Sequence, residues 1–303
     1  MPARQLLKTA VEQGLLMSGL PRISNRLRRS HALVLAYHDI VPDGERPMGD
    51  SSLHLPRAAF SEQLDALREV ADVVPLDAAL SVGARWTGRP RVAITFDDAY
   101  RGAVLAGVPE LVKRGLLATI FVPPALLNDG IFWWDALTPD GMPGLAPEVR
   151  DDALRRLAGK GSEILEHHGC ADSPRIPAWA RGASESELRD AARQPGITLA
   201  SHSWSHPNLA ALPSDELEEE LTRPLAWLRE RFTNVLPYIS YPYGHYSAAV
   251  ERAAAEAGYA AAFRIDGGWL REGDASRYAI PRLNIPAGLS NAGFRLRLSG
   301  LLA

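Results

Sequence analysis

Hydrophobic residues along the chain gather in short runs that are separated by longer stretches of mixed polarity. Seven of these runs are rich in β-branched or aromatic residues, which is typical of β-strands. They lie at residues 31–37, 91–96, 116–122, 196–201, 238–241, 259–265 and 278–285. Because several of them are nearly unbroken apolar segments, they predict a parallel sheet that is covered on both faces.

The segments between these predicted strands carry helical patterns. In residues 58–72, apolar side chains recur every three or four positions, as on the buried face of a helix. Ser184 precedes Glu187 by three residues, a spacing that predicts a capping box. A further helix is predicted at 214–232, where Pro224 either kinks or divides it. This alternation predicts an α/β fold, either a (β/α) barrel or an open doubly wound sheet, and about seven strands favour the barrel.

The pattern divides the chain into three parts. Residues 1–30 are basic, with six Arg or Lys residues against Glu12, and predict a helical segment. Residues 31–290 carry the alternating strands and helices, and residues at about 128–183 interrupt this rhythm, which predicts an insertion on one loop. Residues 291–303 are predicted to be a C-terminal tail.

The N-terminal segment permits two interpretations. Its apolar positions form the stripe of an amphipathic helix, which consists of Leu6, Leu7, Ala10, Val11 and Leu15. With the Arg-rich stretch that follows, this stripe suits peripheral contact with an anionic membrane surface. The alternative is a helix that packs on the outside of the domain, which is the more common fate of an apolar stripe.

Composition narrows the class of protein. The 303 residues are 46% hydrophobic, which is enough for a sizeable core. A net charge of -3 provides no global basic field, so nucleic acid is not expected as a partner. The single Cys170 excludes an intramolecular disulfide. No long apolar region follows the basic N-terminus and no run reaches about 18 apolar residues, so we expect a cytoplasmic protein without a membrane span.

Side chains that can perform chemistry follow several of the predicted strands. They are His38, Asp97, Asp98, His202, His206 and Tyr243. In barrels and open α/β sheets the carboxyl ends of the strands meet at one edge, where active sites are built. We therefore expect these residues to converge although they are far apart in the sequence.

The spacing of His202 and His206 matches a metal site. If the pair lies on one helical turn, both imidazoles reach the same cation, although two polar loop residues are an equally good interpretation of a lone pair. One added carboxylate gives three protein ligands and leaves a position open, as in catalytic zinc sites. Neighbouring strand residues point in opposite directions, so one of Asp97 and Asp98 can bind the metal while the other acts as a general base. The alternative is that one Asp caps the helix predicted at 102–114.

Three ordered motifs, TFDDAY, HSWSHPNL and YPYG, resemble those of the polysaccharide deacetylase family, carbohydrate esterase family 4. The resemblance covers roughly residues 30–287, and the segments LAYHDI and PRLNIP are similar to the branch associated with exopolysaccharide synthesis. It implies a distorted (β/α) barrel with fewer than eight strands. It also implies a divalent metal and the removal of N-acetyl groups from the amino sugars of a glycan.

The resemblance also assigns roles to individual residues. It implies that Asp97 is the general base and that the metal ligands are Asp98, His202 and His206. It further implies that the backbone N–H of Tyr243 helps to hold the oxyanion, and the aromatic ring of this residue is a candidate to flank the sugar. Zinc suits these ligands best, while cobalt, nickel, iron and manganese are also accepted by two His and one Asp.

Two positions depart from the common family pattern. The late strand PRLNIP lacks the histidine that many members use as the proton donor, so His38 is the candidate acid, against the alternative of a hydrogen-bonded structural histidine. No arginine precedes the Pro-Tyr motif. Arg282 is the candidate to pair with the base in its place, against the alternative of an ordinary salt bridge in the barrel wall.

The function expected from these observations is metal-dependent N-deacetylation of a polysaccharide, oligosaccharide or lipid-linked glycan. One alternative is hydrolysis of another amide, such as a formylated amino sugar or a small cyclic amide. A non-haem iron oxygenase also uses two His and one carboxylate, but it leaves the second Asp without a role. A catalytically silent glycan-binding protein is the third alternative. A cytoplasmic enzyme at the inner face of the membrane would fit the basic N-terminus, and the sequence does not predict the oligomeric state.

Overall fold

The computed structural model describes residues 3–81, 89–139, 142, 144–170, 175–270 and 276–302. Within them the strands are β1 (Ala32–Tyr37), β2 (Asp39–Val41), β3 (His54–Pro56), β4 (Asp72–Val73), β5 (Arg91–Phe96), β6 (Ala118–Val122), β7 (Ile197–Ser201), β8 (Val235–Ser240), β9 (Ala261–Phe263) and β10 (Leu283–Asn284).

The helices of the described residues alternate with these strands. They are α1 (Ala3–Met17), α2 (Leu20–Leu27), α3 (Arg57–Val70), α4 (Leu76–Leu80), α5 (Val108–Val112), α6 (Trp133–Leu137), α7 (Pro147–Arg155), α8 (Gly161–His167), α9 (Glu185–Ala192), α10 (Ser214–Arg231), α11 (Ala248–Glu256) and α12 (Asn291–Leu298). A π-helical turn at Ala103–Gly107 leads directly into α5.

Seven parallel strands form one curled sheet in the order β10-β1-β5-β6-β7-β8-β9, and the short β4 also pairs with β5. A parallel bridge between Phe263 and Ile280 brings the segment before β10 back to β9 at the far edge. The sheet is thus a distorted (β/α) barrel, which confirms the predicted fold class. Each of the seven predicted strand segments contains or overlaps one of these strands.

The core explains why the strand segments are apolar on both faces. Along β1, Leu33 and Leu35 pack with Phe60 of α3 on the helix-covered face of the sheet. Their neighbours Ala32 and Val34 belong to a second cluster on the opposite face. Because successive strand residues alternate between faces, a strand that is covered on both sides has no polar face to present.

The predicted capping box is confirmed, and the helix that contains Pro224 is not divided by it. Ser184 and Glu187 form the capping box at the start of α9, in which each side chain accepts a hydrogen bond from the other residue's backbone. Pro224 lies inside α10, which continues through it as one helix.

The last residues of the chain are packed against the body of the protein. Within 291–303, which the sequence predicted as a tail, residues 291–298 form α12, and Phe294, Leu296 and Leu298 are buried. This helix packs against α1 and α3. Its apolar residues alternate with arginines, so their pattern in the sequence does not mark an amphipathic helix of ordinary period.

The insertion predicted at about 128–183 contributes α6, α7 and α8 within its described residues. The N-terminal segment forms α1 and α2. Among the described residues, no helix is both long enough and apolar enough to cross a bilayer.

Candidate functional site

The adjacent aspartates lie where β5 leaves the sheet. The backbone N–H of Asp97 donates to the Tyr37 carbonyl (2.9 Å), which extends the pairing of β5 with β1 by one residue. At Asp98 the backbone then enters the left-handed region, with φ of 71°. This turn explains how two neighbouring carboxylates reach different partners.

The two histidines of the predicted metal site lie in an irregular turn after β7, not on the helical turn that their spacing suggested. The His202 N–H donates to the Val122 carbonyl (2.9 Å), which fixes the start of the turn. Ser203 closes the turn by accepting a hydrogen bond at its Oγ from the N–H of His206 (3.0 Å). Left-handed backbone at Ser203 and His206 reverses the chain, so both imidazoles point the same way.

Asp98, His202 and His206 converge in a buried cluster. Asp98 Oδ1 lies 3.4 Å from His202 Nε2 and 3.1 Å from His206 Nε2. The two Nε2 atoms are 3.1 Å apart. In the described part of the chain, this is the group of His, Cys, Asp or Glu side chains whose ligand atoms lie close enough together to hold a metal ion.

The donor atoms of this cluster suit a divalent metal. Asp98 Oδ1 is buried and accepts no hydrogen bond, which is costly for a carboxylate oxygen unless a cation compensates it. His202 is oriented by a hydrogen bond between its Nδ1 and the Ser240 carbonyl (2.8 Å), so its Nε2 lone pair faces the cluster. Such a bond to the far nitrogen of a histidine is the usual partner of a metal-ligating imidazole.

Backbone strain is concentrated at the same place. Asp98, His206 and Tyr243 all have left-handed φ values, of 71°, 65° and 59°. Each such conformation costs a non-glycine residue on the order of 1–3 kcal/mol, and such costs are typically tolerated at functional sites. Three of them around one cluster indicate that the positions of these side chains matter more than local stability.

Arg282 binds Asp97 on the inner side of the barrel. Its two terminal nitrogens donate to the two carboxylate oxygens at 2.7 and 2.6 Å, which is a bidentate ion pair. Arg282 is fully buried, and it also donates to Thr95 Oγ1, Ser240 Oγ and the Arg264 carbonyl. The structure therefore places this arginine of the last strand against the candidate base.

The surrounding charges keep both aspartates ionised. Burial opposes the charged form of Asp97, but Arg282 and then His202 outweigh it and lower the pKa of Asp97 to about 2. Burial is likewise overcome at Asp98, where His206 and His202 hold the pKa of the carboxyl far below its usual range. Both groups are carboxylates at neutral pH, as a base and a metal ligand must be.

His38 lies directly after β1 and lines the same cleft as the two aspartates. Burial lowers the pKa of His38, although Asp98 and Asp97 act in the opposite direction. A histidine that donates a proton at neutral pH is expected to have a pKa near its ordinary value. The resting imidazole is instead mainly neutral at neutral pH, which limits how readily it donates a proton.

Tyr243 lies in the loop after β8 and packs against the cluster of Asp98, His202 and His206. Its ring lies 4.7 Å from that of His206, and its hydroxyl accepts a hydrogen bond from Trp133 Nε1 (2.8 Å) and donates to the His206 carbonyl (3.2 Å). Trp134 lies 5.0 Å from the His206 ring on another side. Both tryptophans are nearly inaccessible and serve as packing residues around the cluster, whereas Trp204 lies under the guanidinium of Arg223 (3.6 Å).

A buried polar network contacts the aromatic residues that pack around the cluster. His54 lies between two carboxylates, 2.9 Å from Asp39 Oδ2 through Nδ1 and 2.9 Å from Asp135 Oδ1 through Nε2. Tyr100 donates to the other Asp135 oxygen (2.7 Å) and accepts from Trp134 Nε1 (2.8 Å). Burial opposes a charge on His54, but the two aspartates raise its pKa to about 10.

Sequence reasoning did not identify this network. Asp39 and His54 lie on the short parallel pair β2 and β3, which carries too few residues to give a strand pattern. Asp135 belongs to the insertion. The available signal was the set of polar residues inside otherwise apolar segments, since a buried charge requires a partner.

The cluster lies at the base of a cleft of about 290 Å³. Its wall includes four residues that sequence reasoning also missed, namely Asp50, Ser52, Arg150 and Asn284. Arg150 comes from α7, so the insertion at about 128–183 forms part of the site. The cleft thus unites the ends of several strands with one inserted helix, as expected at the carboxyl edge of a barrel.

Comparison with known proteins identifies the class to which this fold and site belong. Residues 84–262 match the family model for polysaccharide deacetylase. Because the match covers more than half of the chain, the chain belongs to the polysaccharide deacetylase family. This confirms the family that the sequence motifs indicated, and it makes the protein a hydrolase that acts on amides of glycans.

Individual relatives agree with this assignment. The Bacillus subtilis (strain 168) protein YxkH is 24% identical over 264 residues, which are 86% of this chain and 74% of that protein. The deacetylase PplD of Streptococcus pyogenes, solved with acetate, has a TM-score of 0.63 at 17% identity and covers 88% of this chain and 97% of its own. IcaB from Ammonifex degensii has a TM-score of 0.62 at 18% identity over 89% and 97% of the two chains. These structures share the fold of this protein.

Proposed function

We propose that this protein is a metal-dependent N-deacetylase that hydrolyses the acetamido group of an amino sugar in a polysaccharide, oligosaccharide or lipid-linked glycan. The observation that carries the proposal is the convergence of two sets of residues in one cleft. Asp98, His202 and His206 offer three ligand atoms, and Asp97 lies beside them as a carboxylate that Arg282 holds ionised.

Asp98, His202 and His206 would hold the divalent metal, for which zinc is the first choice and cobalt, nickel, iron and manganese are others. When bound, such an ion acts as a Lewis acid and lowers the pKa of water. The ion pair with Arg282 fixes Asp97 in one orientation on the inner face of the barrel. Asp97 then accepts the proton of the attacking water as the general base.

The tetrahedral oxyanion that follows needs a hydrogen-bond donor aimed at it. We assign this role to the backbone N–H of Tyr243, whose left-handed conformation is held by the packing of its ring and hydroxyl around His206. The departing amine must also receive a proton. His38 is the candidate donor because it lines the cleft with Asp97 and Asp98, and its lowered pKa requires that it be protonated during the cycle.

A panel of substrates tests the reaction class. Purified protein loaded with zinc would be incubated with N-acetylated chitooligosaccharides, an N-formylated amino sugar and a small cyclic amide, and the released acetate or formate measured. Acetate from the N-acetylated glycan supports the proposal. Formate alone, or opening of the cyclic amide alone, favours the other amidohydrolase activities, and glycan binding without any product favours a silent binding protein. His202→Ala is the matched control for metal-dependent turnover.

We further propose that the enzyme acts in the cytoplasm at the inner face of the membrane, where a lipid-linked precursor is accessible. The basic N-terminal segment supports this location, since the cytoplasmic leaflet is anionic. Fractionation of cells that express the native protein tests it. Recovery from the periplasm contradicts it.

A further inference from the structure

Each of the two N-terminal helices exposes large apolar residues to solvent and buries one polar residue, Glu12 in α1 and Ser24 in α2. In α2, Leu20, Ile23 and Leu27 follow each other at the spacing of one helix face, and Ile23 and Leu27 are 56% and 74% exposed. Ser24 lies at the edge of this stripe, next to Leu20, and it is buried and donates to the carbonyl of Ser299 (2.6 Å). A helix that merely covers a soluble domain has the reverse arrangement.

The preceding helix, α1, likewise exposes apolar side chains and buries a polar one. In α1, Leu7 and Val11 are 66% and 54% exposed. Glu12 of the same helix is buried, and its carboxylate accepts a hydrogen bond from Ser290 Oγ (2.6 Å) at the start of α12. A buried glutamate with a specific partner fixes the rotation of α1, so the exposure of the leucine and valine is a built feature of the fold.

Further exposed apolar residues continue this surface. We call the set the N-terminal apolar patch, and it consists of Leu7, Val11, Met17, Leu20, Ile23, Leu27, Leu301 and Leu302. The two C-terminal leucines join it because Ser299 and Gly300 contact α2 through Ser24 and Arg28. Contiguous exposed apolar surfaces of this kind mark sites of association.

The charges around the patch select its partner. Lys8, Arg22, Arg26 and Arg29 are exposed on the same two helices and the turn that follows them. Residues 7–30 contain one acidic residue, Glu12. Its side chain is buried, and its carboxylate accepts the hydrogen bond from Ser290. An apolar face that these cations border suits the interface of an anionic lipid bilayer.

The position of the patch is compatible with docking. The chain passes from α2 to the first residue of β1, so α2 lies near the amino ends of the strands. The metal cluster follows the carboxyl ends of β5 and β7. A bilayer that contacts α1 and α2 would therefore leave the mouth of the cleft open at the other end of the barrel.

We propose that α1 and α2 form an interfacial anchor that docks the protein on anionic membranes, with the N-terminal apolar patch inserted among the headgroups and the flanking cations on the surface. This inference does not depend on the proposed reaction, because it concerns binding at a surface away from the cleft.

Sedimentation with vesicles tests the anchor on the full chain. We expect binding to vesicles of equal parts phosphatidylcholine and phosphatidylglycerol, much weaker binding to phosphatidylcholine alone, and loss of binding as salt is raised. Ile23→Asp with Leu27→Asp should weaken binding roughly tenfold or more, since it removes two inserted side chains. Arg22→Glu with Arg26→Glu should weaken binding to the anionic vesicles by about tenfold.

Leu105→Asp is the matched control, since Leu105 is also exposed but lies on the π-helical turn before α5. It should bind vesicles as the parent protein does, and all variants should keep the parent's circular dichroism spectrum. The proposal is overturned if the parent protein does not bind anionic vesicles. It is also overturned if the variant with Ile23→Asp and Leu27→Asp binds them as well as the parent does. A lipid-free dimer that this variant dissociates also overturns it, because a second copy would then cover the patch.

Discussion

Arg282 binds both carboxylate oxygens of Asp97, with Nη1 donating to Oδ1 and Nη2 to Oδ2, across 185 residues of sequence. The pair is buried and lies beside the cluster of Asp98, His202 and His206. Because the cation keeps the pKa of Asp97 at about 2, the base is available over the whole neutral range. The first prediction concerns this pair.

Arg282→Met should lower kcat/KM at every pH and move its acid limb to higher pH. The sign follows from the ion pair: without the cation the pKa of Asp97 rises, so the base is protonated at a higher pH than in the parent. The free energy of unfolding should fall by about 3–5 kcal/mol, because a buried carboxylate loses its partner. Arg156→Met, which breaks an exposed pair with Asp152, should leave the free energy of unfolding nearly unchanged. An unshifted acid limb contradicts the proposed pairing of cation and base.

Loss of a cluster ligand should remove the metal. Asp98→Asn, His202→Ala and His206→Ala should each weaken zinc affinity by more than about a hundredfold, since even the hydrogen-bond partners of metal ligands contribute roughly 10- to 100-fold. Metal content after dialysis against a competing chelator measures the effect. His168→Ala, at an exposed histidine of the insertion, should retain the parent's metal content. Full occupancy in all three cluster variants argues for a different metal site.

His38→Gln should lower kcat by roughly a hundredfold with little change in KM, which is the usual contribution of a proton donor. Burial lowers the pKa of His38, so the parent's activity should decline with rising pH through a value below 6.5. The variant should lack this limb of the pH profile. The loss of kcat should be smaller for an anilide substrate, because its amine departs more easily. His245→Gln at the exposed rim is the control. A structural role predicts the same loss for every leaving group and an unchanged pH limb.

The network around His54 should make stability depend on pH. The pKa of His54 is raised from 6.5 to about 10, so its ion pairs with Asp39 and Asp135 contribute fully below pH 6.5 and are lost as the pH rises through about 10. His54→Gln should lower the free energy of unfolding by about 3–5 kcal/mol at the acidic end of this window. Urea titrations across the window should show this difference shrinking with pH. A constant difference for His54→Gln contradicts a charged imidazole.

The fold could be predicted from the sequence because its signals are local. Each strand of the main sheet is a short apolar run, and parallel order follows from the helices between them. The rim position of Asp97, Asp98, His202 and His206 follows from the same pattern, since all four lie within five residues of the ends of β5 and β7. The family match then confirmed the family that the motifs indicated.

The remaining features depend on contacts that no local pattern encodes. The hydrophobic period of α1 marks an amphipathic helix, but the buried Glu12 and its Ser290 partner decide which face turns inward. The pairing of Arg282 with Asp97 depends on the strand order, which places β10 and β5 on either side of β1. The His54 network joins β2, β3 and the insertion, whose sequence gives no indication that they meet.

Acetate release by zinc-loaded Asp97→Asn tests the central claim most directly. The substitution keeps the size of the side chain and leaves the three cluster ligands in place, while it removes the proposed base. We predict that zinc content equals that of the parent and that kcat for an N-acetylated glycan falls by roughly a hundredfold or more. Acetate release at the parent's rate by the zinc-loaded variant would contradict the assignment of Asp97 and, with it, the proposed mechanism.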